Sequence, residues 1–282
     1  MRDFLGSLLV LSPADVAKDR GWLFVPFGVV SSAERDILNT LQIRAFAKEF
    51  GLPLFKWKRT IPGAAGQRLV RECDTNRLWA GEEALWSYFV EGAPVLITER
   101  FRVRFSSASG LGSDASLDSL LFGNRGVPAE VKAAYAQGGY VEVELRDPPF
   151  AVAVRVVLED ETESVQSLVE GAIIVPLFPN TTPVAHVMRS MYAALARVPL
   201  RVAHTGFPYM LGFALMPSDL RGKTLNRLVL SLGGESRPPW EPKFDRHSLY
   251  LMCSCVRSAV DLRILERLDE AEHDRLAALF DR

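Results

Sequence analysis

Residues 22–58 constrain the fold more than any other stretch. WLFVPFGVV (22–30) is an apolar run rich in Val and Phe, the composition of a buried strand. SSAERDILNTLQIRAFAKEFG (31–51) follows. Ser31 or Ser32 suits an N-cap, and Glu34 and Asp36 suit the positive end of the helix dipole in the first turn. Gly51 suits the residue just past the helix end, where the chain turns left-handed. LPLFKWK (52–58) then reads as a second strand. Strand, helix and strand on short connections imply a parallel crossover, the basic piece of an α/β sheet. GVVSS is not a Gly-rich phosphate loop, and GxxxxGK[ST] occurs nowhere in these 282 residues, so Ser31 and Ser32 are read as caps rather than as a phosphate site.

Bulk properties exclude several classes. Hydrophobic residues make up 48% and charged residues 24%, a globular composition. A formal net charge of -1 gives no global basic field, so nucleic-acid binding must come from local patches. Three cysteines, Cys73, Cys253 and Cys255, are too few for a disulfide scaffold and point to a reducing compartment. FLGSLLVL near the N-terminus is far too short for a membrane span and lacks a cleavage site, so it is read as a buried strand or helix. The expectation is a soluble intracellular protein with no membrane partner.

Farther along, residues 82–91 read as a helix and 94–105 as a long strand. Within that strand Arg100, Arg102 and Arg104 share one face, and Phe101, Val103 and Phe105 the other. A Ser/Gly/Asp-rich stretch follows to about residue 124, and 128–137 reads as a short helix. YVEVELRD and FAVAVRVVLED alternate like a hairpin joined through Pro148-Pro149. AIIVPLF is another strand, and a charged helix over 262–280 closes the chain. The middle is β-rich and the flanks are α/β, which suggests a β module inserted in an α/β domain.

Few constellations carry chemistry. Glu159, Asp160, Glu161 and Glu163 lack the spacing and turn glycine of a calcium loop and read as a solvated strand end. His186, His204, His247 and His273 are scattered and form no metal motif with the cysteines. No GxSxG supports a serine nucleophile. The arginine ladder Arg100, Arg102 and Arg104, with Lys56, Lys58 and Arg59 beside Trp57, is the best nucleic-acid signal. Arginines grip phosphates and an aromatic can stack on a base. A sheet edge kept soluble by charge fits the same residues equally well.

Several stretches resemble, in order, the C-terminal half of petite-integration-frequency (Pif) type superfamily-one DNA helicases, in particular the transposon-associated branch. FVPFGVVSSAERDILN falls where the fourth motif belongs. VEGAPVLITE resembles the entry into the family's inserted small β-barrel, and VELRDPPFAVAVRV a stretch within it. LGFALMPSDLRGKTLNRLVLSL is similar to the fifth motif, TFHKSQGKTLDRLILDL, and LYLMCSCVRSAVDLRIL to the sixth, LYVALSRVRS followed by a DLRIL-like strand. Gly222, Thr224 and Leu225 match the fifth motif, while its His, Lys and Gln fall on Ser218, Asp219 and Arg221. Tyr250, Ser254 and Arg257 match the sixth, whereas the ATP-contacting arginine finger falls on Cys255. A thiol cannot stabilise charge on a transferred phosphoryl group as an arginine does. The barrel's Asn-Gly turn is eroded in SASGLGSDAS.

The resemblance implies an α/β fold: a RecA-like parallel-sheet domain (1–105 and 201–265) interrupted by a small β-rich, barrel-like insertion (106–200), with a C-terminal helix at 266–282. It also implies that the family's first RecA-like domain, with its phosphate loop and magnesium site, lies outside these residues. The expectation is therefore a non-catalytic, helicase-derived module without cofactor or metal that binds single-stranded DNA or RNA. Binding would use Lys56, Trp57, Lys58, Arg100, Arg102, Arg104, Gly222, Lys223 and Thr224. The other readings are a protein-interaction scaffold and one half of a split helicase, each with a protein partner packing where the missing domain would sit.

Overall fold

The computed structural model describes residues 2–60, 85–98, 127–156, 173–187, 200–232 and 243–280. Its contacts divide the chain into two units, Met1–Phe46 with Leu211–Arg282, and Ala47–Met210.

The first unit is built on a five-stranded sheet in the order Leu9–Val10, Leu262–Ile264, Leu228–Leu230, Phe27–Gly28, Ala214–Leu215. Every neighbouring pair is parallel, which establishes the expected α/β class. The central strands are short and wholly apolar: Leu228, Val229 and Leu230 are all fully buried. Parallel strands covered on both faces lose the alternation of half-buried strands. The helix Ser32–Phe50 is capped by Ser31, whose hydroxyl accepts the Glu34 N–H at 3.4 Å. Its buried Asn39 serves as a substitute strand partner. The amide oxygen accepts the Ala214 N–H at 2.9 Å and the amide nitrogen donates to the Ala214 carbonyl at 3.4 Å. This satisfies backbone groups at the Ala214–Leu215 edge of the sheet.

The second unit centres on a three-stranded sheet in which Leu54–Lys58 lies between Trp86–Phe89, antiparallel, and Glu142–Glu144, parallel. Phe55, Trp57, Val131, Ala134, Val152, Leu177 and Phe207 form its core. Strand Val152–Val156 pairs antiparallel with Ile173–Leu177, and Asn180–Val187 with Leu200–Gly206. The helix Ala129–Gln137 forms as expected, with Pro128 as its N-cap.

Five expectations need correction. Residues 22–30 are not one strand. A 3-10 turn, Arg20–Trp22, precedes Phe24 at φ 59 and the short strand Phe27–Gly28. Trp22 is wedged between the guanidiniums of Arg227 and Arg263, 4.8 and 4.7 Å from its ring centre. Two stacked cations favour this site over a ladder position. Second, residues 86–89 form a strand rather than part of a helix. Trp, Tyr and Phe in succession suit a pleated surface facing Leu54–Lys58.

Third, Leu54–Lys58 and Phe27–Gly28 belong to different sheets, so the helix between them is not a crossover within one sheet. Fourth, the strands flanking Pro148-Pro149 do not pair with each other. Glu142–Glu144 and Val152–Val156 take other partners, and the two prolines have no N–H to give a tight hairpin. Fifth, the closing helix is confined to Glu270–Ala278, because Asp269 caps it and Leu262–Ile264 is a sheet strand. The apolar N-terminal run splits into a helix, Arg2–Ser7, and the edge strand Leu9–Val10. Leu5 and Leu8 are buried, but Leu9 is exposed. Of the strand expected over 94–105, Val95–Ile97 is seen. The SASGLGSDAS stretch and the acidic cluster at 159–163 lie outside the described residues.

Candidate nucleic-acid interface

The two segments that carry the clearest sequence resemblance meet in the first unit. Pro217–Leu220 is a single helical turn, closed at its start by the Met216 N–H donating to Asp219 at 2.8 Å. Asp219, which the sequence resemblance aligns with a lysine, is committed to this cap. Gly222 follows with φ 75, a left-handed backbone that a side chain strains. No atom lies within 4 Å of where its Cβ would be, so the constraint is one of backbone and not of space. The Lys223 N–H donates to the Leu220 carbonyl at 3.0 Å and tightens the turn. Gly222 and Thr224 are exposed and Lys223 is half-buried.

Leu225 then aligns parallel with Val256, and its N–H donates to the Cys255 carbonyl at 2.6 Å. Through this bridge the Gly222 turn abuts the end of the helix Arg246–Ser254. Asp245 caps that helix by accepting the Ser248 N–H at 2.6 Å, and this bond holds the Asp245 carboxyl below its ordinary value. Leu249 and Met252 are fully buried beneath it. Tyr250, 64% exposed, faces outward with Ser254, whose hydroxyl donates to the Leu251 carbonyl at 2.7 Å. Arg257 is also exposed.

Cys255 turns the other way. It is 3% exposed, and its thiol contacts the carbonyls of Leu251 at 3.1 Å and Leu220 at 3.5 Å. Burial raises its pKa above the ordinary value. Cys253 is pushed up to about 12, chiefly by desolvation and then by the neighbouring Cys255. Both are therefore neutral thiols, unsuited to nucleophilic or metal-binding work at neutral pH. Among the described residues no group of three or more His, Cys, Asp and Glu could hold a metal ion.

In the second unit, alternation along Leu54–Lys58 sends Lys56 and Lys58 to one face and Trp57 to the other. Trp57 is 2% exposed and packs edge-on against Phe207 at 5.8 Å, so it is a core residue that cannot stack on a base. Trp86 takes the surface place instead, with the ammonium groups of Lys56 and Lys58 5.1 and 5.6 Å from its ring centre. The same face carries two carboxylates. Lys56 pairs with Glu142 at 2.8 Å and Lys58 with Glu144 at 3.4 Å. The sequence reading missed Trp86, Glu142 and Glu144. The EVE alternation that puts both glutamates on one face was the available signal. Arg100, Arg102 and Arg104 lie outside the described residues.

An all-parallel sheet, with a glycine turn clasped to a helix end, defines an α/β protein with an exposed loop beside its sheet. No family model matches the chain, and no curated protein matches it. Solved structures similar to it include the Pif1 helicase from Candida albicans, at 13% identity and TM-score 0.44, covering 99% of this chain and 56% of that one. Unliganded Pif1 from Bacteroides sp is similar at 14% identity and TM-score 0.38, covering 99% of this chain and 48% of that one. Bacteroides Pif1 bound to ssDNA is similar at 11% identity and TM-score 0.38, with 96% and 46% covered. The chain thus spans about half the length of these helicases, at identities and scores too low to carry a functional argument. No helix among the described residues is long and apolar enough to cross a membrane.

Proposed function

We propose that this chain is a helicase-derived module that binds single-stranded nucleic acid and does not turn over ATP. One observation carries the reading: the Gly222 turn is clasped to the 246–254 helix through Leu225 and Cys255, while Cys255 itself is sealed inside. The two motif-like segments thus lie side by side. Exposed Gly222 and Thr224 offer a turn that a phosphate can approach closely. At the position that the resemblance assigns to the ATP-contacting arginine there is a neutral, buried thiol, which cannot stabilise phosphoryl transfer. Lys56, Lys58 and Trp86 supply a second contact surface of cations over an aromatic ring.

The test is fluorescence anisotropy of a labelled single-stranded oligomer across a salt series, with an ATP-turnover assay beside it. Affinity that falls steeply with salt, without turnover, is the expected result. Absence of binding at low salt refutes the module. A second reading, a protein-interaction scaffold, draws support from the pairing of Lys56 with Glu142 and Lys58 with Glu144, which leaves that face without net positive charge. Absence of nucleic-acid binding together with capture of a stable protein partner would favour it.

A further inference from the structure

The helix Ser32–Phe50 is apolar on two sides. Ile43 and Ala47 are fully buried on its inner side. On its outer side Ala33, Ile37, Leu41 and Ala45, each four residues from the next, are all exposed, and Ile37 and Leu41 are each 56% exposed. Residues at this spacing form one continuous ridge along a helix. A helix that needed only to cover the sheet would carry polar residues there.

The order of the ridge matters as much as its apolarity. Small, large, large, small reads the same in both directions about Asn39. An antiparallel second copy therefore sets Ile37 against Leu41 of its partner and Ala33 against Ala45, and the alanines let the backbones approach. Charge follows the same symmetry. Glu34, whose carboxylate also accepts the Ser231 hydroxyl, and Arg44 lie equally far from Asn39, so the antiparallel register brings the acidic start of one helix to the basic end of the other. A two-fold interface requires that a patch be complementary to itself, and this one is.

We propose that this ridge is a homodimer surface on which two copies of the chain pair antiparallel about a two-fold axis near Asn39. So small a stripe gives a weak, concentration-dependent dimer rather than an obligate one. The association is independent of nucleic-acid binding.

Sedimentation velocity over a concentration series tests it. The wild-type chain should show reversible association. Ile37→Lys and Leu41→Glu should each weaken it about tenfold or more, because each puts a charge against an apolar partner side chain. Both sites are exposed, and unchanged circular dichroism confirms folding. An equimolar mixture of the two variants should associate again, since the two-fold then faces lysine with glutamate at one contact and Ile with Leu at the other. A wild-type chain that stays monomeric, association that survives both substitutions, or a mixture that fails to recover would each overturn the proposal.

Discussion

Cys255→Arg replaces the thiol with the arginine that the sequence resemblance places there, and the structure determines the outcome. The side chain is 3% exposed, and its Sγ is bounded by the Leu251 and Leu220 carbonyls. A guanidinium has two options. It can stay inside as a cation with two carbonyl acceptors and no carboxylate, or it can swing outward and break the bond between the Leu225 N–H and the Cys255 carbonyl. Either route costs about 2–4 kcal/mol, the range for an imperfectly paired buried charge after relaxation. That is a large share of a total stability of roughly 5–15 kcal/mol. For a chain of this size the melting temperature should fall by about 3–7 °C. Thermal unfolding followed by circular dichroism measures it, with Cys255→Ser as a control of similar shape. ATP turnover should not appear. A variant that melts with the wild type would show that the site can turn an arginine to solvent, and the packing argument would be wrong.

Gly222→Ala should lower stability by about 1–2 kcal/mol through backbone strain alone, since nothing crowds its Cβ; an unchanged urea midpoint would contradict the left-handed turn. Trp57→Ala should cost about 3–5 kcal/mol as a core truncation, whereas Trp86→Ala should leave folding intact and weaken oligonucleotide binding. The reverse pattern would restore Trp57 as the stacking residue. Glu142→Gln with Glu144→Gln removes two carboxylates from the face of Lys56 and Lys58, so single-strand affinity should rise and its salt dependence steepen, at a stability cost of only about 0–1 kcal/mol per pair; an unaltered salt slope would remove this face from the interface. Cys253 is raised from 9.0 to about 12, so its share of stability is complete below pH 9 and is lost as pH climbs toward 12. Alkylation of Cys253 in the native chain should accordingly be slower than in the unfolded chain at pH 8, and equal rates at that residue would refute its raised pKa.

The α/β class was legible because burial leaves a compositional trace. Leu54–Lys58 reads as a strand from its apolar alternation, and the helix Ser32–Phe50 from its cap and its terminal glycine. Sheet membership was not legible. Nothing local in LFKWK says that its partners are Trp86–Phe89 and Glu142–Glu144 rather than Phe27–Gly28, since pairing is decided by contacts distant in sequence. Residues 86–89 failed for a related reason, because a four-residue aromatic run fits a helix or a strand until a partner strand is known. Within the site, the departure at Cys255 could be read from the motif alone. That its side chain faces inward could not, because this depends on the Leu220 carbonyl, 35 residues away.

Cys255 and the lysine face bear on function in opposite ways. At Cys255 the side chain is sealed against the Leu251 and Leu220 carbonyls, an environment that does not suit a cation. On the lysine face the residue types suit a phosphate backbone, but their partners do not. An incoming phosphate must displace Glu142 and Glu144, and those exchanges cancel much of the Coulomb gain. The Gly222 turn carries no such competition, since its value lies in exposed backbone whose shape is fixed by φ rather than by charge. If the module binds nucleic acid, the turn should therefore set where the strand lies. The lysines should set only how strongly salt weakens it.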